Sequence, residues 1–306
     1  MLALIVRRLF TAIPTLIGII LASFFLMRSA PGGPFDGERP LPPEVQEALR
    51  ATYGLDKPLW EQAWMYIARL LQGDFGPSLV YRDFTVTELV AQGLPISLTL
   101  GGLAILLALF IGITAGLFAA VRAGKTLDKS IMMLATIATA LPTFVTGPAL
   151  ALFFGLWLGL LPVSGRGEGV AWLVMPVVAL ALPVSGAIAK LTRAGLATVL
   201  KQDHIRTARA RGLSETKILF KHGLRPALVP VTSYLGPAAA GLLTGAVVVE
   251  TVFGLPGLGR YFVQGALNRD YPLVLGVVTL YAALIILFNL FADLIYGWLD
   301  PRMREE

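Results

Sequence analysis

No cysteine occurs in the 306 residues. Disulfides, thiolate metal sites and a cysteine nucleophile are thereby excluded, and the redox compartment is left open. Histidine is almost as scarce: His204 and His222 are the only two, too few for an imidazole metal site. Charged residues make up 14% of the chain, against roughly 25% in a soluble domain. Apolar residues fill the gap, at 56% hydrophobic with mean hydropathy +0.74, and the chain reads as an integral membrane protein. The formal charge of +6 would suggest nucleic acid in a soluble protein. Here the basic residues sit in particular inter-span loops and report topology, so no nucleic-acid partner is expected.

A span needs about 20 mainly apolar residues, and six stretches qualify: 9–27, 97–121, 130–157, 172–192, 227–250 and 273–297. The first follows Arg7 and Arg8, as a signal peptide would. It is long for an apolar signal core and leads into Pro31-Gly-Gly-Pro34 rather than a small-residue cleavage site, so it reads as a retained span. Loop charge sets the orientation. A cytoplasmic N-terminus puts Arg7 and Arg8, then Arg122, Lys125 and Lys129, then Lys190 to Arg225, and finally Arg302 and Arg304 on one side. The even span count returns the C-terminus to that side.

Within the spans, Gly112 and Gly116, and again Gly241 and Gly245, form small-xxx-small pairs that let helices approach closely. Pro142, Pro176 and Pro183 remove backbone donors and predict bent helices around a pathway. The polar residues in those spans, Thr139, Thr143 and Ser185, are candidate pathway residues. The only acids within the spans are Asp293 and Glu250, both near span ends. The lack of an acid or histidine at mid-depth argues against a secondary, proton-coupled transporter.

Two polar segments are long enough to fold. In the first external loop, residues 29–96, a helix is predicted over Pro42–Arg50, stopping at Gly54, and a second over Pro58–Leu71, stopping at Gly73. In the loop 193–226, Asp203 is placed to cap a short helix ending at Gly212, and Ser214 to cap another over Glu215–Leu224. Small residues there alternate with Arg206, Arg209 and Arg211, a surface suited either to close contact with a partner protein or to anionic membrane lipid.

Chemistry is absent from the motifs. Gly124-Lys125-Thr126 mimics the end of a phosphate-binding loop, but Ala119 stands where the pattern demands glycine, and a span precedes it instead of a strand. Neither H-E-x-x-H nor G-x-S-x-G occurs. The chain is expected not to be an enzyme and to bind no cofactor or metal itself.

The run Arg206-Thr-Ala-Arg-Ala-Arg-Gly212-Leu-Ser-Glu215, followed by Lys221-His-Gly-Leu-Arg225 and Leu228-Val-Pro-Val231, closely resembles the cytoplasmic loop of binding-protein-dependent ABC importer permeases, in the dipeptide/oligopeptide/nickel branch. Pro226 departs from the asparagine of the pattern, which bears on local helix shape. The likeness continues through Tyr53-Gly-Leu-Asp56, Gly73-Asp74-Phe75-Gly76, Leu161-Pro-Val-Ser-Gly165, Pro256-Gly-Leu-Gly259, Asp270-Tyr-Pro-Leu273 and Leu299-Asp-Pro-Arg302.

The resemblance implies an all-α membrane protein of the bacterial or archaeal cytoplasmic membrane, with an N-terminal transmembrane helix (1–28), an external helical loop (29–96) and a five-helix permease core (97–306). Implied partners are a second, homologous permease chain, two ABC ATPase subunits that use ATP and magnesium, and an external substrate-binding protein docking on the 29–96 loop. A coupling helix would present Asp203, Arg206, Thr207, Ala208, Arg209, Arg211 and Gly212 to an ATPase. Peptides are the expected substrate, with nickel chelates or sugars as alternatives.

Overall fold

The computed structural model describes residues 2–29, 54–81, 83–165 and 169–299, together with Pro42, Glu44, Glu47 and Gly167. Apart from Pro42, Glu44 and Glu47, the helix predicted over 42–50 lies outside the described residues, as do Arg302 and Arg304. The main helices are α1 (Leu2–Ser29), α2 (Leu59–Leu70), α3 (Val86–Val121), α4 (Thr126–Ala140), α5 (Thr143–Leu150), α6 (Ala171–Val199), α7 (Asp203–Ala210), α8 (Val229–Val252), α9 (Leu258–Leu267) and α10 (Tyr271–Leu299). Among the described residues the only β pairing is an isolated bridge between Pro77 and Thr85.

Five helices, α1, α3, α6, α8 and α10, are each long and apolar enough to cross a membrane, and a sixth span exists if α4 and the helix after it count as one. That third span is not the continuous helix expected over 130–157. The chain bends by 101° between α4 and α5, because Pro142 sits at the N-cap of α5 with φ −67 and ψ 147. Proline also disfavours helical backbone at the residue before it, and Leu141 is extended there. After α5 the chain widens into a π-helical turn over Ala151–Trp157. By contrast, α6 runs uninterrupted through both Pro176 and Pro183. Helix α3 starts at Val86, well before residue 97, and its 36 residues make it about 54 Å long at 1.5 Å per residue.

The chain forms two compact units: Met1–Arg8 with Leu98–Leu255 and Ile285–Glu306, and Leu9–Ser97 with Pro256–Leu284. In the first unit α6 is the helix the others pack on, and glycine makes this possible. A Cβ at Gly112 or Gly116 of α3 would lie 2.7 Å from the Ser185 carbonyl oxygen or 2.6 Å from that of Ala189. On the other faces of α6, a Cβ at Gly186 would lie 2.5 Å from the Ala135 carbonyl oxygen, and one at Gly195 2.5 Å from that of Ala227. Of the second glycine pair, Gly245 approaches Leu180 but Gly241 has open space beside it, so only the first pair acts as a packing seam within the chain.

The second unit is centred on Val86, Leu89 and Val90 of α3 packed with Leu258 of α9 and with Leu273 and Val277 of α10. Helix α2 adds a smaller cluster, Ala63 with Phe24 and Leu275. The connection between the last two spans, 251–272, is a stretch in which no helix is predicted from the sequence. It contains the ten-residue helix α9, whose Leu258, Gly259 and Gly265 are buried.

Candidate functional site

Helix α7 begins at Asp203, one residue earlier than expected. Gln202 is the N-cap and makes no side-chain capping bond, so Asp203 does not cap; it sits in the first turn, where a negative charge suits the helix dipole. Its Oδ1 accepts from Arg206 Nη1 at 3.3 Å. The other end follows the expectation. Gly212 has φ +74, its N–H donates to the Arg209 carbonyl at 2.9 Å, and the Leu213 N–H donates back to the Ala208 carbonyl at 3.3 Å. This is the paired-bond turn that a left-handed glycine permits after a helix.

One face of α7 is apolar. Ile205 is fully buried and Ala208 is 6% exposed, packed with Ala120, Leu196, Val199, Ile218 and Ala227, and Leu213 after the turn joins them. Ala208 is therefore small because it meets its own chain. On the opposite face, at helical spacing, stand Asp203, Arg206, Thr207 and Ala210, all exposed. The small residue on the outward face is Ala210. The apolar pair Ile205 and Ala208, three apart in a polar helix, was the available signal for which face is which.

Beyond the turn, Ser214 takes the N-cap position of Glu215–Lys217 but makes no side-chain capping bond, and the segment becomes π-helical over Ile218–Gly223 before a final turn, Leu224–Ala227. The single helix expected over Glu215–Leu224 is thus widened just ahead of Pro226, whose ring would crowd an ordinary preceding turn. Arg209 crosses to this segment with Nε and Nη2 donating to the two Glu215 carboxyl oxygens at 2.8 and 3.1 Å. The hydrogen bonds from Arg209 hold the Glu215 carboxyl below its ordinary range, slight desolvation opposing. Arg206 and Arg211 are exposed.

Charges that the sequence reading assigned to loops lie inside helices of the first unit. Asp128, 3% exposed, accepts from Arg193 Nε at 3.1 Å, from Arg193 Nη2 at 2.7 Å and from the Gly124 N–H at 2.8 Å. This fork pins the start of α4 to α6. Three residues before Arg193, Lys190 donates to Thr139 Oγ1 at 2.8 Å. Thr143 opens α5 just after the bend, beside Gly245. Ser185 is 5% exposed and its hydroxyl donates to the Leu182 carbonyl of its own helix at 2.8 Å. Thr139 and Thr143 thus flank the 101° bend, while Ser185 lies at the α3–α6 seam. The lone acid of a basic loop, Asp128, was the overlooked signal.

The second unit holds its own polar cluster. Asp270 is fully buried and N-caps α10, its Oδ1 accepting from the Leu273 N–H at 3.3 Å. The same carboxyl accepts from the Ser78 hydroxyl and from the Leu79 and Val80 N–H groups at 3.2 and 3.3 Å. Just before it, Arg269 is left-handed, with φ 57. Among the described residues no group of three or more His, Cys, Asp or Glu could hold a metal ion.

Comparison with known proteins gives these arrangements a family. Residues 1–101 match the N-terminal model, and residues 112–305 the main model, of the binding-protein-dependent transport system inner membrane component. The oligopeptide transport system permease protein OppB of Salmonella typhimurium is 48% identical over 99% of this chain and all of its own length; that of Haemophilus influenzae is 46% identical over the same shares. The dipeptide transport system permease protein DppB of Lactococcus lactis is 37% identical over 98% of both chains. The inward-facing MetNI methionine ABC transporter aligns with TM-score 0.58 at 19% identity, covering 69% of this chain and 96% of its own, a likeness of fold. The chain, with five to six apolar membrane helices, is a multi-pass permease of the cytoplasmic membrane and belongs to the binding-protein-dependent ABC transport inner-membrane family.

Proposed function

We propose that this chain is the permease half of an ATP-driven importer of di- and oligopeptides, and that α7 is its coupling helix. The observation that carries the second part is the division of α7 into a face seated on the chain's own core and an uncovered face of Asp203, Arg206, Thr207 and Ala210. A helix held from behind and bare in front can pass a push from a partner to α6, α3 and the 218–227 segment. The partner is an ATPase subunit, one of two, which supply the ATP and magnesium chemistry this chain has no motif for. A second permease chain completes the pathway, and an external binding protein delivers substrate to the 29–96 loop. Peptide is favoured over nickel chelates or sugars because the full-length relatives described above are named for oligopeptide and dipeptide transport. Thr139 and Thr143, beside the bend, are the pathway residues; Ser185 is less suited because its hydroxyl is spent within its own buried helix.

The test is Ala210→Trp in the assembled transporter. A bulky ring on the outward face should lower peptide uptake by roughly tenfold, within the usual range of intersite coupling, with membrane insertion unchanged and ATP hydrolysis no longer stimulated by loaded binding protein. Unaltered uptake would remove α7 from the coupling path. Uptake that persists without the ATPase subunits would instead favour a proton-coupled carrier.

A further inference from the structure

A cavity of about 90 Å³ opens in the second unit where α1 ends and α10 begins, and one water needs only roughly 10–15 Å³ on this measure. Its apolar wall is made by Phe24 in the last turns of α1 and by Pro272 and Leu275 in the first turns of α10. Both helices are membrane spans, so the cavity lies at the level where hydrocarbon gives way to water. Arg28 and Arg69 line it as well, and among the described residues no aspartate or glutamate does. The Arg28 guanidinium lies 5.5 Å from the Phe24 ring centre and 5.7 Å from that of Tyr271, an arrangement that orients a planar cation while leaving its N–H groups for an acceptor.

A third lining residue has an unmet need. Gln62 is 6% exposed; its Nε2 donates to the Leu55 and Lys57 carbonyls at 3.3 and 2.7 Å, and its Oε1 has no hydrogen-bond partner among the described residues. A buried acceptor left alone is costly. Tyr66, also in the wall, shares a hydrogen bond with Thr279 at 3.3 Å, and burial pushes its phenol up to about 12, so it contributes no negative charge at neutral pH. The cavity thus offers two cations, one acceptor and an apolar side continuous with the spans.

We infer that this cavity binds the headgroup of an anionic phospholipid, its phosphate between Arg28 and Arg69 and a headgroup hydroxyl donating to Gln62 Oε1. Guanidinium forks suit phosphate oxygens, and the wall of Phe24, Pro272 and Leu275 accommodates the start of the acyl chains as free phosphate would not require. The inference needs only the membrane placement of α1 and α10 and is independent of the coupling role of α7.

The test uses the assembled transporter, stripped of lipid in detergent and then offered phosphatidylglycerol, phosphatidylcholine or inorganic phosphate, with retained lipid read by native mass spectrometry. Phosphatidylglycerol should be retained by the wild type. Retention should fall about fivefold in Arg69→Gln and in Arg28→Gln, the worth of one cation toward an anionic lipid. Gln62→Leu should weaken phosphatidylglycerol while leaving phosphatidylcholine, which has no headgroup hydroxyl, unchanged; Lys57→Gln, outside the lining, should retain the wild-type amount. Because Arg69 is exposed, Arg69→Gln keeps the test open if Arg28→Gln fails to fold. Equal retention in Arg69→Gln and wild type overturns the inference. So does displacement of lipid by inorganic phosphate, which makes free phosphate the occupant, or by a short peptide with a free carboxylate, which makes the cavity a substrate site.

Discussion

Two short helices in this chain end in the same backbone turn, and the turn is completed differently at each. At the end of α7 the left-handed position is Gly212, and the Leu213 N–H closes onto the Ala208 carbonyl at 3.3 Å. At the end of α9 it is Arg269, and the Asp270 N–H closes onto the Gly265 carbonyl at 2.8 Å. Glycine adopts this conformation freely, whereas a residue with a side chain pays about 1–2 kcal/mol. Such strain survives only where the surroundings over-determine it, and at 269 they do: the next residue, Asp270, caps α10 and gathers the Ser78, Leu79 and Val80 donors. Around Gly212 the contacts are mainly apolar and non-directional, apart from the exposed Arg209–Glu215 pair. The corner at 269–273 is built to hold one geometry, and α7 to stay seated while tolerating small shifts.

The contrast breaks most severely at Asp270. Replacement by alanine removes the cap of α10, worth about 1 kcal/mol, and leaves the buried Ser78 hydroxyl without its acceptor, costing about 1–3 kcal/mol, with a smaller loss at the half-buried Leu79 N–H. We expect Asp270→Ala to destabilise the protein by roughly 3 kcal/mol or more, and Asp270→Asn, which keeps one carbonyl acceptor, by less. Thermal unfolding in detergent measures both. A loss below about 0.5 kcal/mol, the scale of an ordinary surface substitution, would mean that the corner is not the fixed point described.

A smaller, opposite-signed pair of effects follows from the turns themselves. Arg269→Gly should relieve about 1 kcal/mol of strain, and Gly212→Val should introduce a similar amount or slightly more. A Cβ at 212 meets nothing within 4 Å, so the main effect is backbone strain. Hydrogen exchange at the Leu213 and Asp270 amides should therefore quicken in Gly212→Val and slow in Arg269→Gly. Movement of both amides in the same direction would show that the turns are not energetically alike.

Much of the fold could be read from apolar runs, because membrane helices must satisfy their own backbone and leave long signatures. The glycine turn at 212 was legible for a related reason: a glycine after a short polar helix has few other uses. What escaped the sequence depended on tertiary context. Whether Pro142 kinks a helix or breaks it is decided by packing, and here it opens α5 at 101° to α4, while Pro176 and Pro183 leave α6 continuous. Ala208 looked like an outward small residue because local sequence does not say which face of a helix meets its own core. The Asp128–Arg193 fork joins residues 65 apart, which no local pattern reveals. Helix α9 was lost because a ten-residue amphipathic stretch falls below the length of a span.

The smallest expected effect sharpens the comparison most finely, because it concerns the side-chain ion pair beside Gly212. Hydrogen bonds from Arg209 lower the Glu215 carboxyl from its ordinary value of 4.5. A depressed acid contributes stability above its unfolded value and loses it as pH falls through the lower folded value. The tie between α7 and the 215–217 turn should therefore be intact at neutral pH and released only below about 4.5. Both side chains face solvent, so the change should register locally, as faster exchange over 209–217, with no shift in global unfolding. Glu215→Gln should show the faster exchange already at neutral pH and abolish its pH dependence, and high salt should move the wild type part of the way toward the variant. If acid instead loosened the buried face at Ile205 and Ala208, the ion pair would be part of what seats α7, and the loop would be as directionally held as the corner at Asp270.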